Sequence, residues 1–208
     1  MTKQEKTLEI IKRLKKVYSN PKSALHWETP LQLLVATILS AQTTDKLVNT
    51  ITPALFAKYQ TAKDFAQADV SDIDAFIKKV NFHNNKAKNI QAASLMIVEK
   101  FDGEVPQTME ELDSLPGVAR KTANVVLGDA FHKSEGIVVD THVIRLTNKL
   151  DLTTQKDPVK IEQDLMTLVP KEEWRFFGHY LTLFGREFCP ARPHICDHCP
   201  LNDLCPDK

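Results

Sequence analysis

The chain has 208 residues, 42% hydrophobic and 26% charged, with 27 basic and 27 acidic side chains and a formal net charge of zero. That length supports one or two domains with an adequate core, and no run of about 18 uncharged apolar residues offers a transmembrane helix. The first residues lack the apolar stretch of a signal peptide, so the expectation is a cytoplasmic protein with reduced thiols and no membrane partner.

Nearly every segment reads as helix. Leu8, Ile11, Leu14 and Val17 form an apolar stripe over 3–18, and Asn20-Pro21 ends it. Thr29 before Pro30 is an N-cap followed by a first-turn proline, and 31–39 is apolar on almost all sides, as in a buried central helix. Thr44 caps a helix to 59. Shorter helices are expected near 63–68 and 71–80, and a longer one over 84–101. Asp102-Gly103 is a turn. Thr108 and Glu111 have capping-box spacing for a helix ending at 115. After Pro116-Gly117 comes a helix over 120–131, then the short extended segment 136–139, then helices near 141–149, 158–169 and 172–187. Prolines at 190, 193, 200 and 206 exclude a long final helix. No alternating strand pattern and no repeat occurs.

Charge is uneven along the chain. Residues 1–22 carry seven basic and two acidic side chains, and 60–115 carry ten acidic and six basic ones. Such asymmetry can orient a phosphate-bearing ligand, although the N-terminal lysines by themselves read better as a solvated helix face.

Chemistry concentrates in 115–140. The helices around Pro116-Gly117 fit a helix-hairpin-helix, and a tight turn before a helix presents free backbone N–H groups that bind phosphate. Lys121 lies in the first turn of the following helix. At the positive end of a helix dipole, a lysine has reason to shed its proton and act as a nucleophile. Asp140 follows Val138-Val139. Alone, Lys121 would read as a solvated helix lysine and Asp140 as a helix cap.

All four cysteines fall within the last twenty residues: Cys189, Cys196, Cys199 and Cys205. Disulfides do not suit a cytoplasmic chain. Structural zinc commonly uses two Cys-x2-Cys arms, and this stretch has one. An iron–sulfur cluster accepts four thiolates from an irregular loop. Spacing favours a metal, and iron–sulfur modestly over zinc.

The order of hairpin lysine, aspartate and terminal cysteine loop resembles the endonuclease III family of DNA glycosylases. The resemblance spans essentially the whole chain. It includes Ser40 to Asp45, Asn85 to Ile90, Leu115 to Leu127, Val139 to His142 and the cysteine loop. It implies an all-α fold of two helical domains with the active site in the cleft between them. One domain is a six-helix unit at 23–134 with the helix-hairpin-helix at 108–131. The other joins 1–22 to 135–208 and carries a [4Fe-4S] cluster on the loop 189–205. The implied function is that of a bifunctional DNA glycosylase and abasic-site lyase of base excision repair. It would act as a monomer on damaged double-stranded DNA and excise oxidised pyrimidines such as thymine glycol.

Lys121 would attack C1′ of a nucleotide flipped out of the stack, and β-elimination from the resulting Schiff base would cut the strand. Asp140 would take a proton from the amine or stabilise the cationic sugar. Matching positions suggest DNA contacts. Gln42 would fill the gap left by the flipped base. Phe82 would wedge the opposite strand, where the family usually has leucine, unless it is an ordinary core aromatic. Gly117, Val118 and Ala119 would hold the backbone through N–H groups, and His142 would do so through its ring unless it is a satisfied buried histidine.

Two departures stand out. Related hairpins read Pro-Gly-x-Gly, and here Ala119 replaces the second glycine; a required positive φ would cost on the order of 1 kcal/mol. The cysteine loop is usually more basic than Arg192 and His194 make it. Two other functions compete with this one. A monofunctional adenine glycosylase would lack Lys121 and carry a further domain. A non-catalytic DNA-binding module would leave the pairing of Lys121 with Asp140 unexplained.

Overall fold

The computed structural model describes residues 1–192 and 196–206. Among these, the chain forms α-helices and two short 3-10 turns, and no strand occurs. Two compact units result: Ala24–Phe131, and Met1–Ser23 together with His132–Lys208.

The Ala24–Phe131 unit opens on α2 (Pro30–Ser40), preceded in the chain by α1 (Lys3–Val17) of the other unit. Thr29 accepts a hydrogen bond from Gln32 N–H and Pro30 starts the helix, as the sequence predicts. Every residue from Leu33 to Leu39 is buried, so α2 is the unit's central helix. Around it come α3 (Asp45–Lys58), α4 (Ala62–Gln67), α5 (Val70–Ile77), α6 (His83–Lys100), α7 (Met109–Asp113) and α8 (Arg120–Phe131). Helix α2 packs against α3, α6 and α8, and Leu34, Leu39, Leu55, Phe65, Ile73, Ile77 and Ile90 fill the core. Helix α3 continues through Pro53.

The turn at Asp102-Gly103 uses left-handed backbone, with φ of 51° and 83°, and Gly103 N–H reaches back to Ile97 O at 3.0 Å to close α6. The cap at Thr108 is simpler than a reciprocal box. Its hydroxyl accepts from Glu111 N–H at 3.3 Å and donates to the Glu111 carboxylate at 2.7 Å. Helix α7 ends at Asp113, two residues earlier than the sequence suggests.

The second unit pairs α1 with α9 (Thr141–Lys149), α10 (Pro158–Leu168) and α11 (Trp174–Glu187). A 3-10 turn at Lys171–Glu173 replaces the first residues of the helix expected from 172. Ile10, Leu14, Ile137, Val143, Leu146, Leu165, Phe177, Leu181 and Phe184 form its core. Among the described residues the extended segment before α9 has no strand partner. Instead, Ile137 N–H donates to the buried Glu162 carboxylate on α10 at 3.2 Å. Arg13 on α1 grips the C-terminal segment, with paired bonds to Asp203 at 2.5 and 2.9 Å and one to Pro200 O at 3.0 Å.

Candidate functional site

Gly117 has φ of +78°, a conformation that costs glycine nothing. It is also pressed against α6: a Cβ built there would lie 2.7 Å from the Asn89 side chain. Two independent demands therefore fix glycine at the hairpin. Val118 is buried and its N–H donates to Leu115 O at 3.0 Å. The turn itself takes up that donor, which leaves the N–H groups on either side of it to face outward. Among the described residues, the N–H groups of Gly117 and Ala119 have no backbone acceptor. Ala119 does not adopt positive φ, and its carbonyl accepts from Ala123 N–H at 3.0 Å as the first acceptor of α8. Alanine therefore carries no left-handed strain there. Lys121 is exposed in the first turn of α8, and its side chain makes no hydrogen bond or ion pair with another described residue.

Two other exposed residues of this unit sit on strained backbone. Gln42 has φ of 55° and Phe82 has φ of 58°. A bulky residue held there costs on the order of 1 kcal/mol or more. Phe82 is 60% exposed, which rules out a core aromatic. Its loop and that of Gln42 are joined, because the Asn81 side chain donates to Gln42 O at 2.6 Å. One turn into α6, the buried Lys86 aims its ammonium at the end of α2. It donates to Leu39 O at 2.8 Å, Ala41 O at 2.5 Å and Thr43 Oγ1 at 3.3 Å. Burial pulls the Lys86 pKa down to about 8. The three oxygens around Nζ work the other way, since only the ammonium has three protons to donate. A cation at the carbonyl end of a helix is also favourably placed. We read the group as charged at neutral pH on this geometry.

In the other unit, Asp140 is the N-cap of α9. Its Oδ1 accepts from Val143 N–H at 2.9 Å and its Oδ2 accepts from the Thr182 hydroxyl at 2.9 Å. The same hydroxyl lies 2.9 Å from Gly178 O, so one proton is shared between two acceptors. Gly178 makes this approach possible. A Cβ there would stand 2.3 Å from Val138 O, so only glycine lets the segment leading to Asp140 lie on α11.

His142 Nδ1 is buried with no partner among the described residues, so it is not a satisfied core histidine. Burial, above all, holds its pKa below the ordinary value; Arg186 and Arg145 act in the same direction and Asp140 against them. Gly185 makes room for the ring, since a Cβ there would be 2.7 Å from Nδ1.

The four cysteines are free thiols. Cys189, Cys196, Cys199 and Cys205 line one cavity whose walls include Leu146, Leu150, Phe184 and Leu201. Among the described residues, no three potential ligands converge on a point where a single ion would sit. Arg145 braces the rim, donating to Cys189 O at 2.6 Å and facing Cys189 Sγ at 3.6 Å. His194 falls outside the described residues, and Arg192 is exposed.

Sequence reading missed Asn81, Lys86, Thr182 and Gly178. Lys86 lay inside a quoted motif, but nothing local marks a helix lysine as buried.

No helix among the described residues is long and apolar enough to cross a membrane. Residues 35–171 match the HhH-GPD superfamily of base excision DNA repair proteins. The chain is 52% identical to endonuclease III of Synechocystis sp. over 205 residues, 99% of this chain and 94% of that relative. It is 38% identical to endonuclease III of Escherichia coli over 203 residues, 98% and 96% of the two chains. It also resembles the protein of a non-covalent endonuclease III–DNA complex, with a TM-score of 0.91 at 39% identity over 100% of this chain and 96% of that one. A trapped endonuclease III–DNA covalent intermediate gives 0.92 at 39% identity over 100% and 97%. With its helix-hairpin-helix, hairpin lysine and full-length similarity, the chain belongs to the endonuclease III family of the HhH-GPD superfamily.

Proposed function

We propose a residue-level chemistry for this bifunctional DNA glycosylase and abasic-site lyase of base excision repair, with Lys121 as nucleophile and Asp140 as its electrostatic partner. The Lys121 amine, once neutral, attacks C1′ of a flipped nucleotide. The N-glycosidic bond breaks and the base leaves with its electron pair, taking up a proton. The sugar ring opens as C1′ and Nζ form an imine. Loss of a 2′ hydrogen then expels the 3′ phosphate, and the strand is cut 3′ to the lesion. Asp140 carries negative charge to the place where the sugar becomes cationic, or receives the amine's proton. The substrate class is oxidised pyrimidine in duplex DNA.

The observation that carries this reading is the placement of Lys121. It is exposed at the start of a helix with its side chain unpaired among the described residues, directly after a hairpin whose Gly117 and Ala119 N–H groups have no backbone acceptor among them. Such donors suit a phosphate, and a covalent DNA intermediate has been trapped in a relative of the same fold. Gln42, Phe82 and His142 supply the remaining contacts in this reading, as gap filler, wedge and backbone support. Incubation with a duplex containing an abasic site should cut the strand, and borohydride should convert the imine into a stable protein–DNA adduct. Binding without cutting or trapping would reduce the protein to a DNA-binding module.

The donor set of the C-terminal cavity fits a [4Fe-4S] cluster. Cys189, Cys196, Cys199 and Cys205 would each bind one iron, and such a cluster keeps its thiolates further apart than a single zinc does. Bound there, it would supply cross-links among the four cysteines and so brace the segment that carries them. Anaerobically purified protein should contain iron and inorganic sulfide. Stoichiometric zinc without sulfide would reject this assignment.

A further inference from the structure

Gln42 and Phe82 lie in different loops, yet the structure ties the loops together at two points. Asn81, next to Phe82, donates to Gln42 O across 39 residues of chain. Lys86, one turn along the helix that Phe82 caps, donates to Leu39 O, Ala41 O and Thr43 Oγ1, on both sides of Gln42. Beyond Phe82, His83 Nδ1 meets Asp74 Oδ1 at 2.5 Å. The wedge residue is thus flanked by two anchored neighbours. Left-handed backbone at a glutamine and a phenylalanine persists only where the surroundings over-determine it, and these bonds are what over-determine it.

We propose that Asn81 and Lys86 are positioning residues that clamp the 41–43 loop to the 80–82 loop, so that the Gln42 and Phe82 side chains enter a duplex as one rigid pair. The inference rests on the reading of Gln42 as gap filler and Phe82 as wedge. Its physical content is preorganisation. Two exposed side chains held in register lose little freedom on insertion, whereas two independent loops would each have to be ordered at that moment.

The test uses the full-length protein. Asn81 is exposed, so Asn81→Ala leaves the core untouched. Single-turnover excision from a thymine-glycol duplex should slow about fivefold, the worth of one hydrogen bond. Fluorescence of 2-aminopurine beside the lesion should show less unstacking. Cleavage of a single-stranded abasic oligonucleotide should hold, because no opposite strand needs wedging. In a Gln42→Ala, Phe82→Ala background, adding Asn81→Ala should cost little, because nothing remains to be positioned. Lys86→Met, if its melting curve shows a folded protein, should repeat the pattern more strongly. Equal losses on single- and double-stranded substrates, additive losses in the combined variant, or no duplex loss from Asn81→Ala would overturn the clamp. If Gln42→Ala and Phe82→Ala themselves leave duplex excision unchanged, the gap-filler reading falls and the clamp falls with it.

Discussion

Lys121 and Asp140 are held in opposite ways. The lysine stands exposed at a helix start, its side chain without a partner among the described residues, on a hairpin that glycine and α6 fix in place. The aspartate has both oxygens engaged, one by a helix N–H and one by a hydroxyl from α11. In the proposed chemistry the lysine closes to bonding distance and its nitrogen rehybridises from amine to imine, so freedom at Nζ is useful. A group that works by charge gains from being fixed before the charge it opposes appears. The difference teaches that rigidity in this protein sits beneath the lysine and at the aspartate itself.

The largest effect should come from the exposed side of this comparison. Lys121→Gln keeps a polar side chain of similar reach and removes the amine. Borohydride trapping and strand cutting should disappear, while DNA affinity persists through the hairpin N–H groups, which the substitution does not touch. Trapping that survives would move the nucleophile elsewhere, to the N-terminal amine first.

The fixed side allows a cleaner separation of shape from charge. Asparagine caps helices about as well as aspartate, so Asp140→Asn can keep the Val143 N–H bond. The new amide can donate to the Thr182 hydroxyl, which then turns its proton to Gly178 O, already within 2.9 Å. The fold should therefore melt near the wild-type temperature. Base excision should slow by about 10²-fold or more, the usual cost of losing one preorganised charge in a transition state. Cleavage of a pre-formed abasic site should suffer less, since no base must leave. Equal near-wild-type rates on both substrates would make Asp140 a cap and nothing more.

How much of this the sequence revealed follows from how local each feature is. The hairpin was legible because Pro116, Gly117 and Lys121 are near neighbours and their turn chemistry is their own. The caps at Thr29 and Thr44 and the buried α2 were legible for the same reason. The second demand on Gly117 was not, because Asn89 is distant in sequence. Positive φ at Gln42 and Phe82 had no sequence mark, since neither residue type favours it. Lys86 reads as a surface lysine until the end of α2 is placed against it. Gly178 and Thr182 belong to a helix whose pattern announces only its apolar face, and their meaning depends on Val138 and Asp140 lying on that helix.

Thr182 gives the finest test of the fixed side. Its hydroxyl reaches Asp140 Oδ2 and Gly178 O, so its effect on the proposed reaction runs through the position of Asp140. Thr182→Val keeps the branched shape and removes the donor. Asp140 then retains only the Val143 N–H bond, and its second oxygen is free to rotate towards water. One hydrogen bond to a charged group is worth roughly 1.5–3 kcal/mol, but part of that returns as solvation because the site is only part-buried. The expected loss is about tenfold in the single-turnover rate of base excision. The loss should lie in the rate and not in DNA affinity, and it should be smaller on a pre-formed abasic site, matching Asp140→Asn in pattern. Thr182→Ser restores the hydroxyl and should restore most of the rate, although it loses the methyl group. In an Asp140→Asn background Thr182→Val should add little, because the charge it orients is gone. A full tenfold loss in that background would mean that Thr182 acts through some other residue. The fixed aspartate would then owe its position to α9 alone.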